Sequence, residues 1–339
     1  MTVTFARGTD ERIAWLRNIP FIAVHVAPLF AFVTGVTRFD IALCGALYVG
    51  RMFCITAGYH RYFSHRAYKM GRIMQFLMAF GGATAAQKGA LWWAAHHRHH
   101  HRFSDTPEDV HSPLKGFFWS HVGWIMCSKY TATDYAAIKD FAKYPELVWL
   151  NKYHYVPPIM LGAACFAAGG ASALVVGFFL STVLTYHGTF FINSLAHVMG
   201  RRRYVTSDTS RNSLALALVT LGEGWHNNHH YYQSTANQGF FWWEIDISYY
   251  ILRVLSVFGL VHELRTPPQH VLSANRLSDG YPDIGMFDAT FAKAVAALEN
   301  GQHGASEHCQ QRARELDELV ESTRQAALRI AKMPAKTLA

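Results

Sequence analysis

Apolar and polar positions along the chain alternate on the scale of whole helices. Four apolar stretches, at about 19–37, 39–58, 155–170 and 171–193, each come near the roughly 20 residues that a helix needs to cross a bilayer core of about 30 Å. The turns within each pair, at 37–39 and 169–172, are very short, so each pair is expected to form a helical hairpin. Both hairpins then return the chain to its starting side. That side carries Arg7, Arg12 and Arg17, the Lys- and Arg-rich segment 59–152, and the run Arg201, Arg202 and Arg203. By the positive-inside rule it is cytoplasmic. Pro20, His25 and Pro28 in the first stretch and Arg51 in the second are costly in lipid unless they face the bundle or reach its edge, and a structural role is expected for them.

The segment 70–95 is also apolar, but Gln87 and Lys88 interrupt it, and a fifth crossing would put the histidine-rich groups on opposite sides. It is expected to lie on or just under the membrane surface. Beyond position 280 the character changes to Ala, Glu and Arg in helical periods, with a break at 300–304. Three regions follow: a cytosolic segment 1–18, a membrane domain 19–280 and a soluble helical tail 281–339. The predicted fold class is an all-α integral membrane protein, with four transmembrane helices in two hairpins under a cytosolic helical cap.

Composition agrees with a mixed membrane and cytosolic body: 51% of the 339 residues are hydrophobic, and the mean hydropathy is only +0.05. The formal charge of +8 suits nucleic acid, an anionic lipid surface or a phosphorylated substrate, and composition alone does not choose between them; with the membrane stretches and the chemistry below, no nucleic-acid partner is expected. Cys44, Cys54, Cys127, Cys165 and Cys309 form no Cys-x-x-Cys, so neither a disulfide framework nor a zinc knuckle is indicated. The first apolar stretch follows Arg7, Asp10, Glu11, Arg12 and Arg17 and lacks a small-residue cleavage site. It reads as a retained anchor rather than a secretory signal.

The chemistry is concentrated in histidine. HRYFSH supplies His60 and His65, HHRHHHRFSD supplies His97, His100 and His101, and GEGWHNNHH supplies His226, His229 and His230. FINSLAH adds Asn193 and His197, four residues apart at the cytoplasmic end of the last stretch. In H-x-x-H-H the first histidine shares a helical face with those three and four residues on, so their imidazoles can converge. Nine such histidines exceed one tetrahedral zinc and suit two metals of higher coordination number. Imidazole accepts zinc, copper, iron or nickel, so ligand type leaves the metal open.

These boxes and their neighbours resemble the membrane fatty acyl desaturases, specifically the acyl-CoA delta-9 branch related to stearoyl-CoA desaturase. The resemblance rests on ITAGYHRYFSHRAYK at 55–69, HRHHHRFSDTPEDVHSP at 97–113, GFFWSHVGW at 116–124, NSLAH at 193–197 and GEGWHNNHH at 222–230, and it covers roughly 20–276. It implies that His60, His65, His97, His100, His101, His197, His226, His229 and His230 ligate two irons, with Asn193 holding one through water. His96, His99, His111 and His121 are then neighbours. Asp105, Asp109 and Glu223 are candidates to orient ligand imidazoles by accepting their second N–H.

The activity implied is oxygen-dependent formation of a cis double bond in a long acyl chain held in a dry tunnel. Acyl-CoA is the expected carrier and an acyl lipid the alternative, because Ala95 and His96 stand where animal acyl-CoA relatives carry an Arg-Asp pair. Lys129 is the candidate substrate contact, with Lys88 and Arg98 as helpers. No His-Pro-Gly-Gly signature of a fused haem domain is present, so electrons are expected from a separate ferredoxin, flavoprotein reductase or cytochrome, at a bacterial inner membrane. A di-iron hydroxylase shares this histidine logic. A metal transporter would place its ligands at the bilayer midplane, and here they lie beyond the stretch ends.

Overall fold

The structure, a computed structural model, describes residues 5–277; the helical tail expected at 281–339 lies outside the described residues. Among the described residues the regular structure is helical apart from isolated bridges and one antiparallel ladder, β1 (Lys69–Met70) with β2 (Val261–His262), and long loops join the helices.

Among the described residues three helical stretches are long and apolar enough to cross a membrane. The first, α1 (Leu16–Thr34), is wound more tightly over Ala27–Phe30, where Pro28 enters, and ends at Gly35, whose φ of 75° favours glycine. The second, α2 (Arg38–Ser64), starts from a capping box: Asp40 N–H donates to Thr37 Oγ1, and Thr37 N–H donates to Asp40 Oδ2 at 2.8 Å. It runs six residues past the expected end at 58. Its final portion, Cys54–Ser64, is wound with i→i+5 hydrogen bonds.

The third apolar stretch, Val156–His197, has 42 residues but is not one straight rod. Gly169 (φ −150°, ψ 17°) and Gly170 (φ 69°, ψ −152°) are non-helical. A Cβ on Gly162 would touch Leu174 and Phe178 at 3.5 Å, residues that a straight helix would carry roughly 18 and 24 Å further along its axis. The chain therefore reverses within the turn expected at 169–172. This gives α6 (Val156–Ser172) and, after the widely wound Ala173–Leu180, α7 (Ser181–Ser194).

Arg51 faces inward as expected. Its guanidinium donates to Thr182 Oγ1 at 2.7 Å and to Ser181 Oγ, and its Nε donates to Leu47 O, tying α2 to α7 with neutral acceptors only. The 70–95 segment is two helices, α3 (Arg72–Ala83) and α4 (Ala90–Phe103), separated by a turn in which Ala86 and Lys88 take positive φ. Neither is a candidate span. Met78, Ala79 and Ala83 of α3 and Leu91, Ala94 and Ala95 of α4 pack with Tyr59 and Phe63 of α2, while Leu147 and Leu150 of α5 (Pro145–Lys152) complete that core. The result anchors α4 and the end of α2 side by side.

Candidate metal centre

All nine histidines singled out in the sequence come together, and they form two groups. His60, His65, His97, His101 and His229 make one; His100, His197, His226 and His230 make the other. Within each, one ring nitrogen per residue lies within 4.8 Å of all the rest.

Local winding explains the assignment. His60 and His65 are five residues apart, which on an α-helix points them about 140° apart. The i→i+5 winding of Cys54–Ser64 brings them together instead, with His65 N–H donating to His60 O and the rings edge-on with centroids 5.0 Å apart. On α4, His97 and His101 are one α-turn apart and enter the first group; His100, rotated by about 100° from His101, enters the second. Past the short α8 (Leu214–Val219), on α9 (His226–Tyr231), the pair His226 and His230 serves the second group and His229 the first. Each H-x-x-H-H box thus feeds both groups, where the sequence reading had its three imidazoles converging on one face.

Buried carboxylates hold the rings. His100 Nδ1 meets Asp109 Oδ1 at 3.0 Å, His197 Nδ1 meets Asp105 Oδ2 at 3.2 Å and His60 Nδ1 meets Glu223 Oε2 at 2.5 Å. These are the three acids expected to orient ligands. Two partners escaped the sequence reading: Asp208 Oδ2 accepts from His230 Nδ1 at 2.7 Å, and Gln238 Nε2 lies 3.2 Å from His60 Nδ1. Asp208 sits in a Ser-Asp-Thr-Ser turn, where it also caps Ser210 N–H, and it reads from sequence as an ordinary turn residue.

Glu223 also accepts from Arg61 Nε at 3.0 Å, and Arg61 pairs with Asp246 at 2.9 Å. Burial alone would raise the Glu223 carboxyl, but His60 and Arg61 outweigh it and hold it low. Asn227 and Asn228, between the histidines of the third box, are structural. Asn227 Oδ1 accepts from Arg203 and Tyr204 N–H, and the Asn228 side chain donates to Glu244 and Gln238 O.

The donor set fits bound cations. An imidazole whose Nδ1 donates to a carboxylate presents a bare lone pair at Nε2. Three of the four rings in the second group are so fixed, and Nε2 of His100 and of His230 is buried with no hydrogen-bond partner. In the first group His97 Nε2 lies 2.9 Å from Nε2 of both His65 and His101, and His229 Nε2 lies 3.0 Å from that of His60. Single ring protons cannot satisfy all these contacts, whereas a cation among the lone pairs does. Burial, then neighbouring imidazoles, push His97, His101, His226 and His229 well below the usual histidine range, leaving them in the neutral form that binds metal.

The other described histidines lie outside the two groups. His96 packs on Trp92 with its Nδ1 2.9 Å from Trp92 O, and His99 meets Glu108 O. His111 is buried 4.2 Å from the His100 ring. His121 lies 2.9 Å from His187, near His25, an association the sequence did not suggest.

A cavity of about 690 Å³ reaches this centre; it is lined by His97, His111 and Asn193 and by Trp92, Trp93 and Trp124. Asn193, four residues before His197 near the end of α7, faces this cavity, and its backbone carbonyl accepts from Ser120 Oγ. Lys129 does not line it; its ammonium pairs with Asp10 at 2.9 Å. Arg98 is held bidentately by Asp140. Of the three expected cationic contacts only Lys88 is a lining residue, joined by Arg17 and Lys152.

Comparison with known proteins gives this geometry a family. The chain is 35% identical over 268 residues to the sn-1 stearoyl-lipid 9-desaturase of Anabaena variabilis, covering 78% of this chain and 98% of that protein. It is 34% identical to the sn-2 palmitoyl-lipid 9-desaturase of Nostoc sp. (strain 36) over 78% of this chain and 94% of that protein. It is 33% identical to the acyl-CoA C20 Delta5-desaturase of Anemone leveillei, over 76% and 87%. The profile of the family described as "Fatty acid desaturase" matches residues 41–264, from within α2 to just past β2, and takes in all nine histidines. The chain belongs to the fatty acid desaturase family.

Proposed function

We propose that this protein is a membrane di-iron desaturase that uses dioxygen to place a cis double bond, at the delta-9 position, in a long-chain saturated acyl group. The observation that carries this reading is the sorting of nine histidines into two buried groups beside a cavity lined by aromatic residues. When bound, a pair of irons supplies the oxidising power that, with dioxygen and two electrons, removes hydrogen from two adjacent methylenes. His60, His65, His97, His101 and His229 would hold one iron; His100, His197, His226 and His230 would hold the other, with Asn193 reaching it through water.

The chain's own work is orientation and exclusion. Asp105, Asp109, Asp208 and Glu223 fix ring tautomers, so that each Nε2 stays a lone-pair donor. Trp93 stacks on the His97 ring at 4.9 Å and packs beside His60, so apolar surface flanks the rings where they face the cavity. The acyl chain is held there with its target methylenes against the first group and the Asn193 edge.

In this reading the reversal at Gly169 and Gly170 makes four spans in two hairpins, and α3 and α4 lie at the cytoplasmic surface. A separate ferredoxin, flavoprotein reductase or cytochrome delivers electrons on that side, at a bacterial inner membrane. The acyl carrier is CoA or a lipid, and relatives named for each are similar to this chain. Expression in a host lacking the activity, with double bonds located by mass spectrometry, tests the reading. A new cis bond at carbon nine, lost in His229→Ala, supports it; hydroxylated acids would replace it with a hydroxylase.

A further inference from the structure

We propose that the 690 Å³ cavity is a lateral portal through which the acyl chain of a bilayer glycerophospholipid reaches the histidine groups, its phosphate held by Arg17, Lys88 and Lys152. This inference rests on the desaturase reading and names the carrier that reading leaves open. Its first support is where the walls come from. Phe21 and Val24 belong to the opening turns of α1, and Tyr155 and Pro158 lie at the start of α6, both in apolar stretches long enough to span. A cavity walled by the ends of two spans opens at the edge of the bilayer, at the height of lipid ester and phosphate groups. Phe21 is stacked on Tyr186 of α7 with centroids 5.4 Å apart, so the wall of α1 is fixed to the helix that carries Asn193 toward the metal centre.

The second support is charge. Arg17 and Lys88 converge on one residue: Arg17 Nη1 donates to Thr131 Oγ1 at 2.8 Å, and Lys88 Nζ donates to Thr131 O at 3.3 Å. Lys152, at the end of α5, lines the same cavity. Among the described residues none of the three has a carboxylate partner, and the cavity lining contains no Asp or Glu. Lys88 is half-buried over the Trp92 ring at 4.4 Å, and burial together with Arg17 lowers its ammonium to about 8. Exposed Arg17 at the mouth and half-buried Lys88 behind it are two neighbouring cations without an anion, an arrangement that suits the binding of one. The aromatic depth behind it, Trp92, Trp93 and Trp124, suits an acyl chain attached to that anion.

The full-length protein in nanodiscs of digalactosyldiacylglycerol, which has no phosphate, is the test system. Three probes carry the same mid-chain diazirine: a phosphatidylglycerol, a digalactosyldiacylglycerol and an acyl-CoA. Cross-links are mapped by mass spectrometry, with exposed Phe32 and Val33 of α1 as the reference for ordinary lipid contact. The phosphatidylglycerol probe is expected to label Phe21, Trp93 and Tyr155 above that reference. Arg17→Gln with Lys88→Gln should cut this labelling about tenfold, equivalent to about 1.4 kcal/mol, while Arg12→Gln leaves it unchanged. Equal portal labelling by the galactolipid probe, or none lost in the double variant, overturns the phosphate role. Portal labelling by the acyl-CoA probe alone overturns the lipid carrier. The whole-cell product assay is separate: portal labelling in a protein that makes no double bond would defeat the desaturase reading and leave the portal standing.

Discussion

Replacing Asp208 by Asn should empty one metal position and spare the other. The Asp208 carboxylate lies 2.7 Å from His230 Nδ1, and both groups are buried. Burial would raise this acid, but the adjacent His230 dominates, and Asp208 stays ionised well below the usual carboxylate range. The variant keeps the shape and removes the charge. A hydrogen bond to a charged group contributes about 1.5–3 kcal/mol, and loss of such an outer partner weakens metal binding by about 10–100-fold. His230 belongs with His100, His197 and His226, so the loss should fall on that position alone. Iron per protein, measured after equilibration with a graded chelator, should step from about two to about one at a concentration that leaves the unaltered protein full. Glu223→Gln, beside His60 in the other group, should produce the same step independently, and the double variant should approach zero. A variant that loses both irons together, or neither, would refute the division into two groups with separate supports.

Three further outcomes follow from the same geometry. Gly224→Ala should cost about 3 kcal/mol or more, because a Cβ there would lie 2.0 Å from Ala217 N and 2.5 Å from Ser213 O, all rigid backbone; Gly45→Ala, with nothing within 4 Å, should be silent in the same thermal-shift measurement. Arg51→Met should stay within about 1 kcal/mol of the parent, since the guanidinium has only neutral partners and Thr182 keeps its own bond to Phe178 O at 2.7 Å; a loss of about 3–5 kcal/mol would reveal a charged partner instead. Anion binding at the portal should weaken as pH rises through about 8, because the protonated Lys88 is the binding form and its ammonium is lowered to that value. At pH 9 about tenfold less Lys88 is charged than at pH 7, and Lys88→Arg should remove the pH dependence of phosphatidylglycerol labelling.

The apolar stretches and the clustered histidines were legible in the sequence for different reasons. Apolar length marks a helix that can cross a bilayer whatever its neighbours, so the stretches near 19–37 and 39–58 needed no tertiary information. The reversal near 169–172 was legible because Gly169 and Gly170 permit what other residues resist. The nine histidines could be named from their boxes, but their sorting could not. Sequence periodicity assumes 3.6 residues per turn, and Cys54–Ser64 departs from it in the stretch that presents His60 and His65 together. Asp208 was hidden because its partner is 22 positions away and becomes adjacent only when 203–212 folds onto α9, held by Asn212 and Asn228. Lys129 shows what sequence leaves out, since its ammonium is paired with Asp10, 119 positions away, and that partner is visible only in space.

The division of each box between two groups also explains why the boxes are H-x-x-H-H and not evenly spaced. Residues four apart on a helix point nearly the same way, and the residue between them in the fourth slot points about 100° away. One helix with two consecutive histidines can therefore offer a pair of rings to one group and a single ring to its neighbour. α4 gives its pair to the first group and its single to the second; α9 does the opposite, so the two helices are complementary. The i→i+5 segment brings the first group to five, and His197 brings the second to four. The groups also differ in shelter: His65 and His101 of the first are only half-buried, beside a recess lined by Arg98, Arg102 and Gln233, whereas every ring of the second is buried. The recess meets the first group at His65 and His101 and the 690 Å³ cavity reaches it at His97, so the two openings meet different rings of the same cluster.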